Sequence, residues 1–192
     1  MNNRLYQRME HFLVMRMPRQ RVTGIWRLIF RLPILAYRLG FGWMLGSSIL
    51  LLETAGRVSG KKRYTAIGYG YDAETDTYYI HSGWGRRTDW FRNLARMEGC
   101  QMRVGNRRYT CAWRVVPPEE AIAMTRLHFH SNPYAAEMWA YLLGRKLDVN
   151  SEADMQLLAA EYPMVALEPL NSARAPAGGW GCGRSSLSGH PR

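Results

Sequence analysis

The chain has 192 residues, 47% of them hydrophobic, and a formal net charge of +11. This size and apolar content fit one domain with a true core and exclude global disorder. The charge calls for an anionic partner (nucleic acid, a membrane surface or a phosphorylated cofactor), and the three cysteines, Cys100, Cys111 and Cys182, form no CxxC pair, which excludes a zinc knuckle or a disulfide framework and makes a reducing cytoplasm the expected location.

Residues 2–16 read as a helix with Leu5, Met9 and Phe12 on one side. A second helix covers 25–39, bent or restarted at Pro33. Residues 1–40 carry eight arginines and a single acid, Glu10. Arg27, Arg31 and Arg38 interrupt the apolar stretch from Ile25 to Leu52, so no charge-free run of about 20 residues is present to span a bilayer. The basic N-terminus lacks the apolar region of a signal peptide. The segment is expected to pack on its own domain; the alternative is an amphipathic segment making peripheral membrane contact. Gly40, Gly42 and Gly46 then loosen the chain.

Strands follow over Ile49–Glu53, Tyr64–Tyr71 and Tyr78–His81, separated by a Gly56–Lys62 loop and an Asp72–Thr77 turn. Ser82–Thr88 is a loop rich in Gly and Arg. Thr88 or Asp89 can cap a helix over 90–98, with Trp90, Leu94 and Met97 as its apolar stripe and Gly99 as its end. Next, Cys100, Met102 and Val104 alternate with polar residues, as do Tyr109, Cys111, Trp113 and Val115. Gly105-Asn106 between them is a two-residue hairpin turn. That register sets Met102 opposite Tyr109 and Cys100 opposite Cys111; in a reducing compartment the two cysteines are expected to stay thiols. Pro117-Pro118-Glu119-Glu120 starts a helix to about Leu127. Ala135, Met138, Trp139, Leu142 and Leu143 give the stripe of another, and Met164–Leu167 is a closing strand.

The order argues for an α+β antiparallel barrel with peripheral helices, not a wound βαβ sheet. Three parts are expected: an N-terminal helical extension over 1–46, the barrel over 47–170, and a disordered tail over 171–192.

Two loops carry candidate chemistry. In Gly56-Arg57-Val58-Ser59-Gly60-Lys61-Lys62-Arg63, glycines let backbone N–H groups approach an anion, Ser59 can donate one bond, and Arg57 and Arg63 can clamp a phosphate while the lysines add point charge. As a bare pattern this is also what a solvated basic turn looks like. The second, Ser82-Gly83-Trp84-Gly85, leads into a helix N-terminus; the Ser82 hydroxyl could point at a ring carbonyl. Trp84 could equally plug the core. His128-Phe129-His130 has no acid or Cys nearby to complete a metal set, so no metal is expected. No G-x-S-x-G elbow or catalytic triad is visible.

The two loops resemble those of the deazaflavin (coenzyme F-420)-dependent nitroreductase-like family. The matching segments are Leu50 to Gly60, Ser82-Gly83-Trp84-Gly85, Asp89-Trp90-Phe91-Arg92-Asn93-Leu94, Val104-Gly105, Pro118-Glu119-Glu120-Ala121, Leu142-Leu143-Gly144 and Pro163 to Pro169. The resemblance spans about Pro33 to Pro169. It implies a split β-barrel of the FMN-binding type. It also implies an oxidoreductase that passes hydride from a reduced deazaflavin to a small-molecule electron acceptor such as a quinone or nitroaromatic. By this resemblance Arg57, Ser59, Gly60, Lys61 and Arg63 hold the phosphate and tail. Ser82, Gly83 and Trp84 lie near the ring, with Ser82 as the catalytic candidate, and Trp90 and Asn93 brace the site. The family's substrate-side tyrosines near the C-terminal helix have no direct match, although Tyr134, Tyr141 and Tyr162 are in the neighbourhood. The second loop departs from the family's Gly-Gly, Lys and Pro pattern. FMN on the same barrel is the alternative cofactor, and a lipid- or nucleic-acid-binding module the non-enzymatic alternative. Nucleic acid is not the expected partner; a homodimer is compatible with the reading.

Overall fold

In the computed structural model, residues 3–18 and 24–170 are described; the expected tail over 171–192 lies outside them. Six strands close an antiparallel barrel: β1 (Ile49–Ala55), β2 (Lys62–Asp72), β3 (Thr77–His81), β4 (Cys100–Val104), β5 (Arg107–Val115) and β6 (Met164–Pro169), in the order β1-β2-β3-β6-β5-β4. The fold is α+β, a split barrel, as expected.

Alternation along the strands builds the interior. Leu50, Leu52, Tyr78, Ile80, Met102, Cys111 and Leu167 point into one buried cluster. Tyr78 packs against Tyr69 and Tyr71 at ring separations of 5.3 and 4.7 Å. Tyr79 faces the other way, against Met164 and Ala166 and the helix α6 (Pro118–Ser131). The β4–β5 hairpin pairs Cys100 with Cys111 and Met102 with Tyr109, the register read from alternation; both cysteines are free thiols. Gly105 sits at φ +58, as a Gly-first turn requires.

α5 (Asp89–Leu94) closes one end of the barrel, burying Trp90, Phe91 and Leu94. It is shorter than 90–98, and Thr88 caps it with backbone only. The Thr88 hydroxyl instead donates to the Gly85 carbonyl at 2.6 Å. α7 (Ala135–Leu143) and α8 (Glu152–Glu161) pack on α6 around Ile122, Trp139, Met155 and Leu158. Sequence reading omitted α8; its signal was Ser151, whose hydroxyl accepts from the Asp154 N–H, followed by acids in the first turn.

The N-terminal segment folds as α1 (Asn3–Val14), α2 (Ile25–Ile29), α3 (Leu32–Arg38) and α4 (Gly42–Leu45). The restart near Pro33 is present as the break between α2 and α3. Gly42 and Gly46 do not loosen the chain. They let α4 lie against the hairpin turn, since a Cβ on either would strike Gly105 backbone. The expectation that this segment buries its apolar stripe is corrected. Leu5, Met9 and Phe12 of α1 face solvent, as do Ile25, Leu28, Leu32, Leu35 and Trp43. α1 instead turns its other face inward, where Gln7 donates to the Ser131 carbonyl at 3.0 Å and His11 meets Glu137 at 2.9 Å. The Tyr141 hydroxyl donates to the Met17 carbonyl at 2.9 Å, fixing the chain after α1.

Candidate functional site

Over residues 62–68, β2 pairs with β1 on one edge, while its pairing with β3 begins only at Tyr69. The other edge of β2 therefore opens the barrel wall. A cavity of about 460 Å³ lies along this opening. Thr65, Ala66 and Ile67 form one wall, Gly83, Trp84, Thr88 and Trp90 a second, and α1 and the Arg27–Ile34 region the roof.

The second loop supplies three expected residues to this cavity: Gly83, Trp84 and Trp90. Nothing lies within 4 Å of a Cβ built on Gly83, so its backbone can be approached closely. Trp84 meets Phe30 edge-on at 5.9 Å, and its buried Nε1 donor has no partner among the described residues. Ser82 departs from expectation. It is fully buried, and its hydroxyl donates to the Gly85 carbonyl at 2.6 Å and bonds the Thr88 hydroxyl, rather than pointing at a ring site. The turn admits no side chain at Gly85 (φ +65), where a Cβ would lie 2.7 Å from the Glu161 carbonyl oxygen. Ser82 thus shapes the loop.

The first loop does not line the cavity; it stands beside it at the β1–β2 turn. Arg57 is tied to α5: its guanidinium donates to Asp89 at 2.8 Å, and its N–H to the Asn93 side-chain oxygen at 3.1 Å. Asn93 is buried, its amide directed to Thr54 at 3.4 Å. Ser59, Gly60, Lys61 and Arg63 are exposed, and Gly60 takes φ +64. Lys61 donates its N–H to the Ser59 hydroxyl at 3.4 Å. The loop is thus a basic rim held by a bracing asparagine.

Sequence reasoning gave no role in the site to Tyr6, Glu10, His81 and His128, all of which line the cavity. Burial depresses His81 to about 4 and His128 to about 3, the second aided by His81, so both are neutral near pH 7. Tyr134 stacks on His11 at 4.9 Å and Tyr162 meets Trp139 at 5.1 Å; neither lines the cavity. Among the described residues no three His, Cys, Asp or Glu side chains converge as a metal set.

The family model of the F420H(2)-dependent quinone reductases matches residues 36–150. The chain belongs to this family of F420-dependent oxidoreductases. No curated protein matches it. Among solved structures it is similar to a protein of unknown function from Agrobacterium tumefaciens (17% identity, TM-score 0.44), covering 73% of this chain and 56% of that one. A conserved hypothetical protein from Mycobacterium tuberculosis shows 14% identity and TM-score 0.43, over 70% and 80% of the two chains. An F420-H2 dependent reductase shows 22% identity and TM-score 0.40, over 63% and 94%. The chain thus spans little more than half the length of the Agrobacterium protein.

The residues fit the family's deazaflavin. An open strand edge, an approachable Gly83 and the unpaired Trp84 indole donor suit a flat heterocycle with polar edges. The neighbouring basic loop suits a phosphate and an anionic tail.

Proposed function

We propose that this chain transfers hydride from reduced deazaflavin to a quinone-type acceptor inside the cavity beside β2. The observation that carries the reading is the adjacency of an aromatic cavity and a basic loop. The ring would lie along Thr65–Ile67, between Gly83 and Trp84, with its phosphate and tail leading out to Ser59, Gly60, Lys61 and Arg63. Arg57 and Asn93 would fix that loop on α5, and Trp90 would floor the site. Ser82 would act as a positioning residue through the turn it closes. The cofactor brings the hydride chemistry; the protein contributes orientation and exclusion of water.

The acceptor would be apolar and membrane-borne. Among the described residues, eleven of the fourteen exposed large hydrophobic side chains fall within residues 5–44, interleaved with arginines. Such a surface suits an anionic bilayer, since apolar side chains insert while arginines meet headgroups. Among the described residues no helix is long and apolar enough to cross a membrane, so the contact would be peripheral. The roof of the cavity comes from the same segment, which would present the site to a lipid-soluble substrate.

Turnover of chemically reduced deazaflavin with a water-soluble naphthoquinone, followed by cofactor absorbance, tests the activity. Oxidation that depends on both protein and quinone supports it; none with any quinone tried contradicts it.

A further inference from the structure

We propose that Glu10 is the acid that protonates the acceptor oxygen during reduction. The inference rests on the deazaflavin–quinone reading above and adds a residue to it.

Glu10 is the one acid among the first 40 residues and, among the described residues, the one carboxylate that lines the cavity. α1 carries it inward on the face that also presents Tyr6 and Val14 to the same space, where Met17 joins them from the chain after the helix. The Tyr6 hydroxyl donates to it at 3.4 Å, and Gly68 of β2 lies in contact range, with a Cβ built there 3.5 Å from the Glu10 Oε1. The carboxyl is enclosed by protein yet keeps surface open toward the cavity, as an acid serving a bound substrate must.

The surrounding groups favour this assignment. Arg27 and Arg31 line the roof, Tyr64 and Tyr69 come from β2, His81 from β3 and His128 from α6. Both histidines are held neutral and have no proton to spare near pH 7. Burial pushes the Tyr6 and Tyr69 hydroxyls upward, making them poor acids, and arginine does not release its proton. Burial lifts Glu10 itself to about 7, outweighing the Tyr6 hydrogen bond that pulls the other way. An acid is most effective when it titrates near the working pH.

The step balances. The hydride brings two electrons and one hydrogen to the quinone. The Glu10 O–H bond breaks as a new O–H bond forms on the quinone oxygen. Water reprotonates the carboxylate and takes up the proton that the cofactor loses on oxidation. The product is the hydroquinone.

The test combines turnover with two readouts that need no turnover. Wild-type kcat should fall as pH rises through about 7. Glu10→Gln should lower kcat about a hundredfold, leave KM little changed and abolish that limb. Glu10→Asp should recover part of the rate together with the limb. Carboxyl-carbon NMR of the cofactor-free protein should show one glutamate titrating near 7 that disappears in Glu10→Gln. Deazaflavin fluorescence should show binding retained in that variant, which separates loss of the acid from loss of the cofactor site. A Glu10→Gln enzyme with the wild-type rate and profile, or a Glu10 carboxyl titrating in the ordinary range, would overturn the proposal while leaving the cofactor reading intact. Absence of deazaflavin binding by the wild type would overturn both.

Discussion

The Arg57 guanidinium donates to the Asp89 carboxylate across 2.8 Å, joining the basic loop after β1 to the helix that closes the barrel. Asp89 is largely exposed, so the pair itself contributes little. Two roles for Arg57 can therefore be separated. Asp89→Asn leaves the positive charge and should change deazaflavin affinity by less than about threefold. Arg57→Ala with Lys61→Ala removes two charges and should weaken binding at least about tenfold, which is 1.4 kcal/mol. Fluorescence titration checks both. Equal losses in the two variants would mean that Arg57 only holds the loop.

The turn at Gly85 should tolerate no side chain. Its φ is +65, and a Cβ would meet the Glu161 carbonyl at 2.7 Å. Gly85→Ala should cost about 2 kcal/mol and displace Trp84 from the cavity wall. Chemical denaturation measures the first effect and deazaflavin affinity the second. Ser82→Ala should act the same way more weakly, by about 1 kcal/mol, with kcat at saturating cofactor unchanged.

Much of this architecture could be read before the structure. The hairpin register from Cys100–Cys111 to Met102–Tyr109 follows from period-two alternation and a Gly-first turn, both local signals. The strands flanking the basic loop follow in the same way. The face of α1 was not legible. Leu5, Met9 and Phe12 look like a core stripe, and periodicity cannot say whether the apolar side meets protein or lipid. Glu10 was visible only as an isolated acid among arginines, because its role depends on β2 lying beneath it. Ser82 is legible as a strand-end residue beside a glycine loop, but the direction of its hydroxyl, toward the Gly85 carbonyl, depends on how that loop turns. Asn93 and Arg57 are far apart in sequence, and only the barrel end brings them together.

Stability should fall on acidification. His81 and His128 have folded values of about 4 and 3, below the ordinary value of 6.5. A lowered folded value contributes stability that is full above pH 6.5 and is lost as pH falls toward those values. For His81 the loss by pH 4 is on the order of 3 kcal/mol. Glu10 has the opposite sign: its folded value is raised from 4.5 to about 7, so its contribution is lost as pH rises through 7. Thermal denaturation should show His128→Asn with a flatter curve between pH 6.5 and 4 than the wild type. A slope equal to that of the wild type would contradict the neutral, buried state of His128.

The exposed apolar segment should bind anionic vesicles. Cosedimentation with vesicles of phosphatidylglycerol should capture the protein and neutral phosphatidylcholine vesicles should not, with binding weakened by salt. Leu5→Ser with Phe12→Ser and Trp43→Ser should abolish capture while leaving deazaflavin affinity unchanged, since all three side chains face away from the cavity. Vesicle-free self-association removed by the same substitutions would instead assign the surface to a second copy of the chain.

The cofactor is the centre of the account, and the most direct test is a fluorescence titration of the purified protein with oxidised deazaflavin and, separately, with FMN. Saturable deazaflavin binding, much tighter than FMN binding and lost in the Arg57→Ala, Lys61→Ala variant, is the predicted result. Tighter binding of FMN, or binding of neither, would contradict it.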